Sequence, residues 1–226
     1  MEVVLGIDNI IFISITAGKL PAHEQKRARN LGLLCALVFR ILLLLSITWI
    51  IGLQEPLFHI FGYPMSGRNL ILLFGGIFLL AKSTVEIHHK VENHHEEKDS
   101  ISKKTKSAFN MVVLQIIFLD IVFSFDSILT AVGLTPHVII MIIAVVISMG
   151  IMMLFSGAVS KFINKHPTLQ VLALSFLILI GMTLILEGMP EGLGIHVSKG
   201  YIYFAIFFSL TVELLNMRVR AKNKKQ

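Results

Sequence analysis

The stretch Glu2-Val3-Val4-Leu5-Gly6-Ile7-Asp8-Asn9-Ile10-Ile11 returns in altered form as Asp120-Ile121-Val122-Phe123-Ser124-Phe125-Asp126-Ser127-Ile128-Leu129. Both copies read carboxylate, five residues, aspartate, a small amide or hydroxyl, then two aliphatics. A fainter echo joins Lys82–Glu86 to Thr183–Glu187. The chain therefore contains two related units, and each unit sets carboxylates inside an apolar run.

Composition says what medium surrounds those runs. The 226 residues are 55% hydrophobic and only 15% charged, with a mean hydropathy of +0.80. Soluble domains are roughly 45–50% apolar and about 25% charged, which excludes a soluble enzyme and a disordered regulator. The single Cys35 forbids an intrachain disulfide. The basic excess sits in short blocks between apolar runs, which fits a membrane and not a nucleic acid. The reading is an all-α polytopic membrane protein of about seven transmembrane helices.

Spans are expected near Glu2–Gly18, Leu31–Leu53, Asn69–His88, Ala108–Gly133, His137–Phe162, Thr168–Met189 and Gly200–Met217, each near the length that crosses a ~30 Å hydrocarbon core. The first is no secretory signal, because it has carboxylates inside and no basic start. Basic residues cluster after the first, third, fifth and seventh spans, from Lys19–Arg29 to the tail Arg218–Gln226. Every second connection is therefore cytoplasmic, with the N-terminus outside and the C-terminus inside.

This divides a single integral domain into a first three-helix repeat (1–89), a cytoplasmic linker (90–107), a second repeat (108–190), a seventh helix (200–217) and a basic tail (218–226). Three spans per unit is an odd number, so the second copy is inverted. Inverted repeats recur in secondary transporters, with the binding site at their interface near midplane. Only Met1 precedes Glu2, whereas about a dozen residues of the fourth span precede Asp120. That asymmetry points to a first span that starts upstream or is incomplete.

A charge at the bilayer centre costs at least about 2.5–3.5 kcal/mol, so intramembrane carboxylates are functional by default. Glu2, Asp8, Asp120 and Asp126 form the candidate metal site, with Asn9 and Ser127 adding neutral oxygens. Six residues of helix give about 9 Å of rise and 240° of rotation, so one straight helix cannot aim both of its carboxylates at one ion. Antiparallel first and fourth spans instead level Glu2 with Asp126 and Asp8 with Asp120. Arg40 is the one arginine in mid-span and serves as a counter-charge. An all-oxygen site suits a hard divalent cation such as Mn²⁺, Mg²⁺ or Ca²⁺, carried as cargo with no tightly bound cofactor.

His88, His89, His94 and His95 lie among acidic residues in the long connection and form a low-affinity metal-gathering loop, although a solvated linker looks much the same. Lys82 and Glu86, four apart, are expected to pair with each other. Glu187 and Glu213 sit near span ends. Trp49 and Tyr63 fit an aromatic belt. No nucleophile elbow, phosphate loop or metalloprotease His pair is present.

The two acidic motifs, Lys82 to Glu86-Ile87-His88, and the closing Gly200–Ala205 and Val212–Asn216 segments resemble the TerC family of integral membrane proteins over nearly the whole chain. The resemblance implies a seven-helix bacterial inner-membrane protein related to cation exporters. It also implies an association with manganese efflux, tellurium resistance and the supply of metal to exported enzymes. The expected function is thus a divalent cation exporter, with Mn²⁺ first among its cargoes, working by alternating access. The alternative is a membrane scaffold that helps the secretion machinery deliver metal to exported metalloproteins, or a tellurite-stress protein without transport of its own. The expected partners are the lipid bilayer and the metal ion.

Overall fold

The computed structural model describes residues 2–60, 62–92, 105–134, 137–190 and 198–223. Their elements are α1 (Glu2–Ala17), α2 (Ala22–Leu45), a short α3 (Ile47–Gly52), β1 (Pro56–Ile60), β2 (Tyr63–Ser66), α4 (Gly67–Glu92), α5 (Thr105–Leu134), α6 (Val138–Lys165), α7 (Pro167–Gly188) and α8 (Lys199–Asn223). Six helices (α2, α4, α5, α6, α7 and α8) are long and apolar enough to cross a membrane. The remaining expected span, the first, is α1 with 16 residues, about 24 Å of helix, against the roughly twenty residues that a full crossing takes.

The second span differs most from its expected limits of Leu31–Leu53. Its helix starts at Ala22, behind Pro21, whose fixed φ suits the start of a helix and whose missing N–H costs nothing there. The Gln25 amide donates to the Leu20 carbonyl (2.8 Å), tying down the preceding turn. The helix ends at Leu45, and Ser46 N–H donates back to Leu42 and Leu43. Beyond α3, the antiparallel pair β1–β2 turns at Gly62 with φ +84°, a left-handed conformation that glycine adopts without penalty. Ser66 and Asn69 then cap α4 reciprocally, the Asn69 N–H donating to Ser66 Oγ and the Ser66 N–H to Asn69 Oδ1 (3.3 Å each).

The core has two apolar clusters, and α1 and α5 contribute to both. Ile10, Ile13, Val112, Ile116, Phe125 and Ile128 pack with α2 and α6. Phe12, Ile15, Leu119 and Val122 pack with α4 and α7. The helices that carry the repeated motif are thus the middle of the molecule. The outer surface is apolar, with Leu154, Ile139 and Phe207 among its most exposed side chains, while arginine, aspartate and serine are buried. That inversion of the soluble pattern fits a lipid surrounding.

The packing pairs have an internal logic. Exchanging α1 with α5, α2 with α6 and α4 with α7 turns the α1–α6 contact into α2–α5 and leaves α4–α7 as itself. Directions obey the same exchange. Gly32 and Arg40 of α2 meet Ile116 and Asp120 of α5 in the same order along the chain, so these helices run parallel. Gly181 faces Gly76, and Gly188 faces Asn69 and Leu72, so α4 and α7 run antiparallel.

Candidate functional site

α2 presents one buried stripe, Arg29, Leu33, Ala36, Arg40 and Leu44, at the three- and four-residue steps of a helix face. Arg40 is 3% and Asp120 is 4% exposed at the side chain. The Arg40 guanidinium donates from Nη2 to Asp120 Oδ1 (3.2 Å) and from Nε to Ser124 Oγ (2.7 Å). The Ser124 hydroxyl in turn donates to Asp120 Oδ2 (3.1 Å). One hydroxyl thus links cation and carboxylate, as expected of a buried charge pair whose remaining lone pairs need partners. Ser127, one turn on, donates to the Ser124 carbonyl (3.2 Å).

The side chains of residues 2–9 and of residue 126 lie outside the described part, which covers Glu2, Asp8, Asn9 and Asp126. Their backbones lie on the central helices α1 and α5. Of the six expected ligands, Asp120 and Ser127 are therefore the described ones, and Asp120 is engaged by the counter-charge Arg40. Among the described residues no three His, Cys, Asp or Glu groups converge on a point that would hold a metal ion. His88 and His89 are exposed on the last turn of α4, and His88 Nε2 meets Glu92 at 3.0 Å. His94 and His95 lie outside the described residues.

Two corrections bear on charge. Arg29, read as part of a basic connection, is buried inside α2, where its Nε donates to Ser156 Oγ of α6 (3.1 Å). The spacing of Arg29 and Arg40 held the signal: eleven residues are about three turns, which puts both on one face. Glu86 does not take Lys82 as its ion-pair partner. It pairs with Lys19, which follows α1, because the tertiary fold brings the end of α1 against α4. Its counterpart Glu187 is buried at the opposite end of the α4–α7 seam, 4.0 Å from Arg68.

The comparisons with known proteins agree with this frame. The family model described as "Integral membrane protein TerC family" matches residues 1–226. A UPF0053 protein of Haemophilus influenzae is 50% identical over 97% of this chain and 90% of its own length. The UPF0053 inner membrane protein YgdQ of Escherichia coli strain K12 is 50% identical over 99% of this chain and 91% of its own. A third relative, the UPF0053 inner membrane protein YoaE of the same strain, is 48% identical over 97% of this chain, which spans 41% of that longer protein. No solved structure matches.

Proposed function

This chain belongs to the TerC family of integral membrane proteins, and from that premise we propose that it is an inner-membrane exporter of hard divalent cations, Mn²⁺ first, that works by alternating access. It is a carrier and not an enzyme, and its N-terminus faces outward. The observation that carries this reading is the Arg40–Ser124–Asp120 network buried between α2 and α5. Ionisable groups kept inside a membrane are expensive, and they mark ion pathways. Support also comes from the exchange symmetry of the packing pairs, since inverted repeats place a site where the two halves meet.

In the mechanism, Asp8 and Asp126 bind the cation, Glu2 and Asp120 are their partners, and Asn9 and Ser127 complete an oxygen shell. Arg40 holds Asp120 while the site is empty and yields it when the divalent charge arrives. Ionised carboxylates are needed for binding, so metal and protons compete for the site. His88, His89, His94 and His95 gather metal at the cytoplasmic face.

The test is manganese content in cells lacking their own exporter. Expression of the unmutated chain lowers it, and Asp126→Asn, Asp8→Asn and Asp120→Asn abolish the effect at equal membrane insertion. Export undiminished by Asp8→Asn and Asp126→Asn takes the site away from these residues. Unchanged metal with the unmutated, inserted chain removes the exporter reading.

A further inference from the structure

A second polar cluster lies away from Asp120, where the ends of α1 and α4 meet α7. Lys19 is 40% exposed at its side chain, while its ion-pair partner Glu86 is 8% exposed. Behind them lies a small cavity of about 10 Å³, lined by Phe12, Ile15, Thr16, Lys82, Ser83, Glu86 and Leu174. Thr16 and Ser83 are almost wholly buried, and Ser83 Oγ has no hydrogen-bond partner among the described residues. An orphaned buried hydroxyl is costly unless something polar visits it. The cavity is close to the ~10–15 Å³ that one water needs, and hydroxyls with a carboxylate give such a water its partners.

Phe12 and Thr16, one turn apart on α1, line the cavity, and Lys19, just past the end of α1, pairs with Glu86 at its edge. Position 8 lies one turn beyond Phe12, about 6 Å further along the helix. Lys82 also lines the cavity and adds positive charge there.

We propose that the Lys19–Glu86 pair is the plug of a hydrated pocket at this end of the helix bundle, with Thr16 and Ser83 as its polar lining. The inference rests on the transporter reading for its purpose. While the plug is shut, Glu86 is neutralised and two lysines repel any divalent cation. Once Lys19 swings outward, Glu86 and the hydroxyls offer a cation its first oxygens after it leaves water.

Accessibility tests this without measuring transport. In a Cys35→Ser background, Thr16→Cys is exposed to a membrane-impermeant thiosulfonate reagent in vesicles of both orientations. Labelling rises about tenfold when Lys19→Gln or Glu86→Gln is added, because the open form of a two-state element is ordinarily a roughly 0.1–10% minority. Ser14→Cys, buried on the same helix and outside the cavity lining, stays at baseline in those backgrounds. Unchanged labelling at position 16 overturns the plug, as does an equal rise at positions 14 and 16, which marks a loosened fold. Metal content followed in the same strains separates the two readings: opened access at position 16 with no metal movement in any form leaves the plug and removes the exporter.

Discussion

The seam between α4 and α7 and the group formed by α1, α2, α5 and α6 are built from different materials. At the seam, backbone meets backbone: a Cβ on Gly76 would lie 2.6 Å from the Gly181 carbonyl oxygen, and one on Gly188 would lie 2.7 Å from the Leu73 nitrogen. Small residues at helix contacts are how membrane proteins gain close packing when lipid is as apolar as leucine. In the other group, Arg29, Arg40, Asp120, Ser124 and Ser156 are buried together with aliphatics. The first region holds its shape through contact and the second through charge. The second carries its buried charge network between its helices, whereas the seam keeps its carboxylates, Glu86 and Glu187, at its two ends.

Removing the charge should do the most damage. Arg40→Ala removes the guanidinium that donates to Asp120 and costs about 3–5 kcal/mol, the usual penalty for breaking a buried pair from one side. Arg40→Ala combined with Asp120→Asn costs less than Arg40→Ala alone. Thermal unfolding of the purified protein in detergent checks both, and a double variant as unstable as the single one breaks the pairing.

Overfilling the seam comes next. Gly76→Val forces apart two backbones that have no flexible end to yield, at about 1–3 kcal/mol. It should lower the unfolding temperature and leave metal export per inserted molecule intact. Export lost in proportion to Asp126→Asn would mean that the seam moves during transport.

A smaller effect is expected at Ser124→Ala, which deletes the hydroxyl between Arg40 and Asp120 and costs about 1 kcal/mol. Last, Gly150 of α6 has open space around the position of a Cβ, so Gly150→Ala should stabilise by about 0.5–1 kcal/mol, the helical penalty of glycine. A loss there would show that α6 is closely covered at that point.

Much of this was legible in the chain. Apolar runs gave the spans, and the repeated acidic motif singled out the two helices that stand at the centre. What escaped notice did so for physical reasons. The charges from Lys26 to Arg29 pushed the reading of the second span to Leu31, although a helix can begin in water, bury one arginine stripe and cross afterwards. Hydropathy cannot see that, but the eleven-residue step from Arg29 to Arg40 can. Lys82 and Glu86 have the spacing of a helical ion pair, yet local spacing cannot foresee that Lys19 arrives from another helix. The hairpin at 56–66 lies in a connection where neither periodicity nor composition was decisive.

The parallel placement of α2 and α5 also has a consequence in time. Arg40 and Asp120 are separated by 80 residues of chain, and a ribosome adds about 5–20 residues per second. For roughly 4–16 s during synthesis, α2 has left the ribosome before Asp120 has been made. The Arg40–Asp120 bond therefore closes only when α5 arrives, so the packing of the first half is completed by the second.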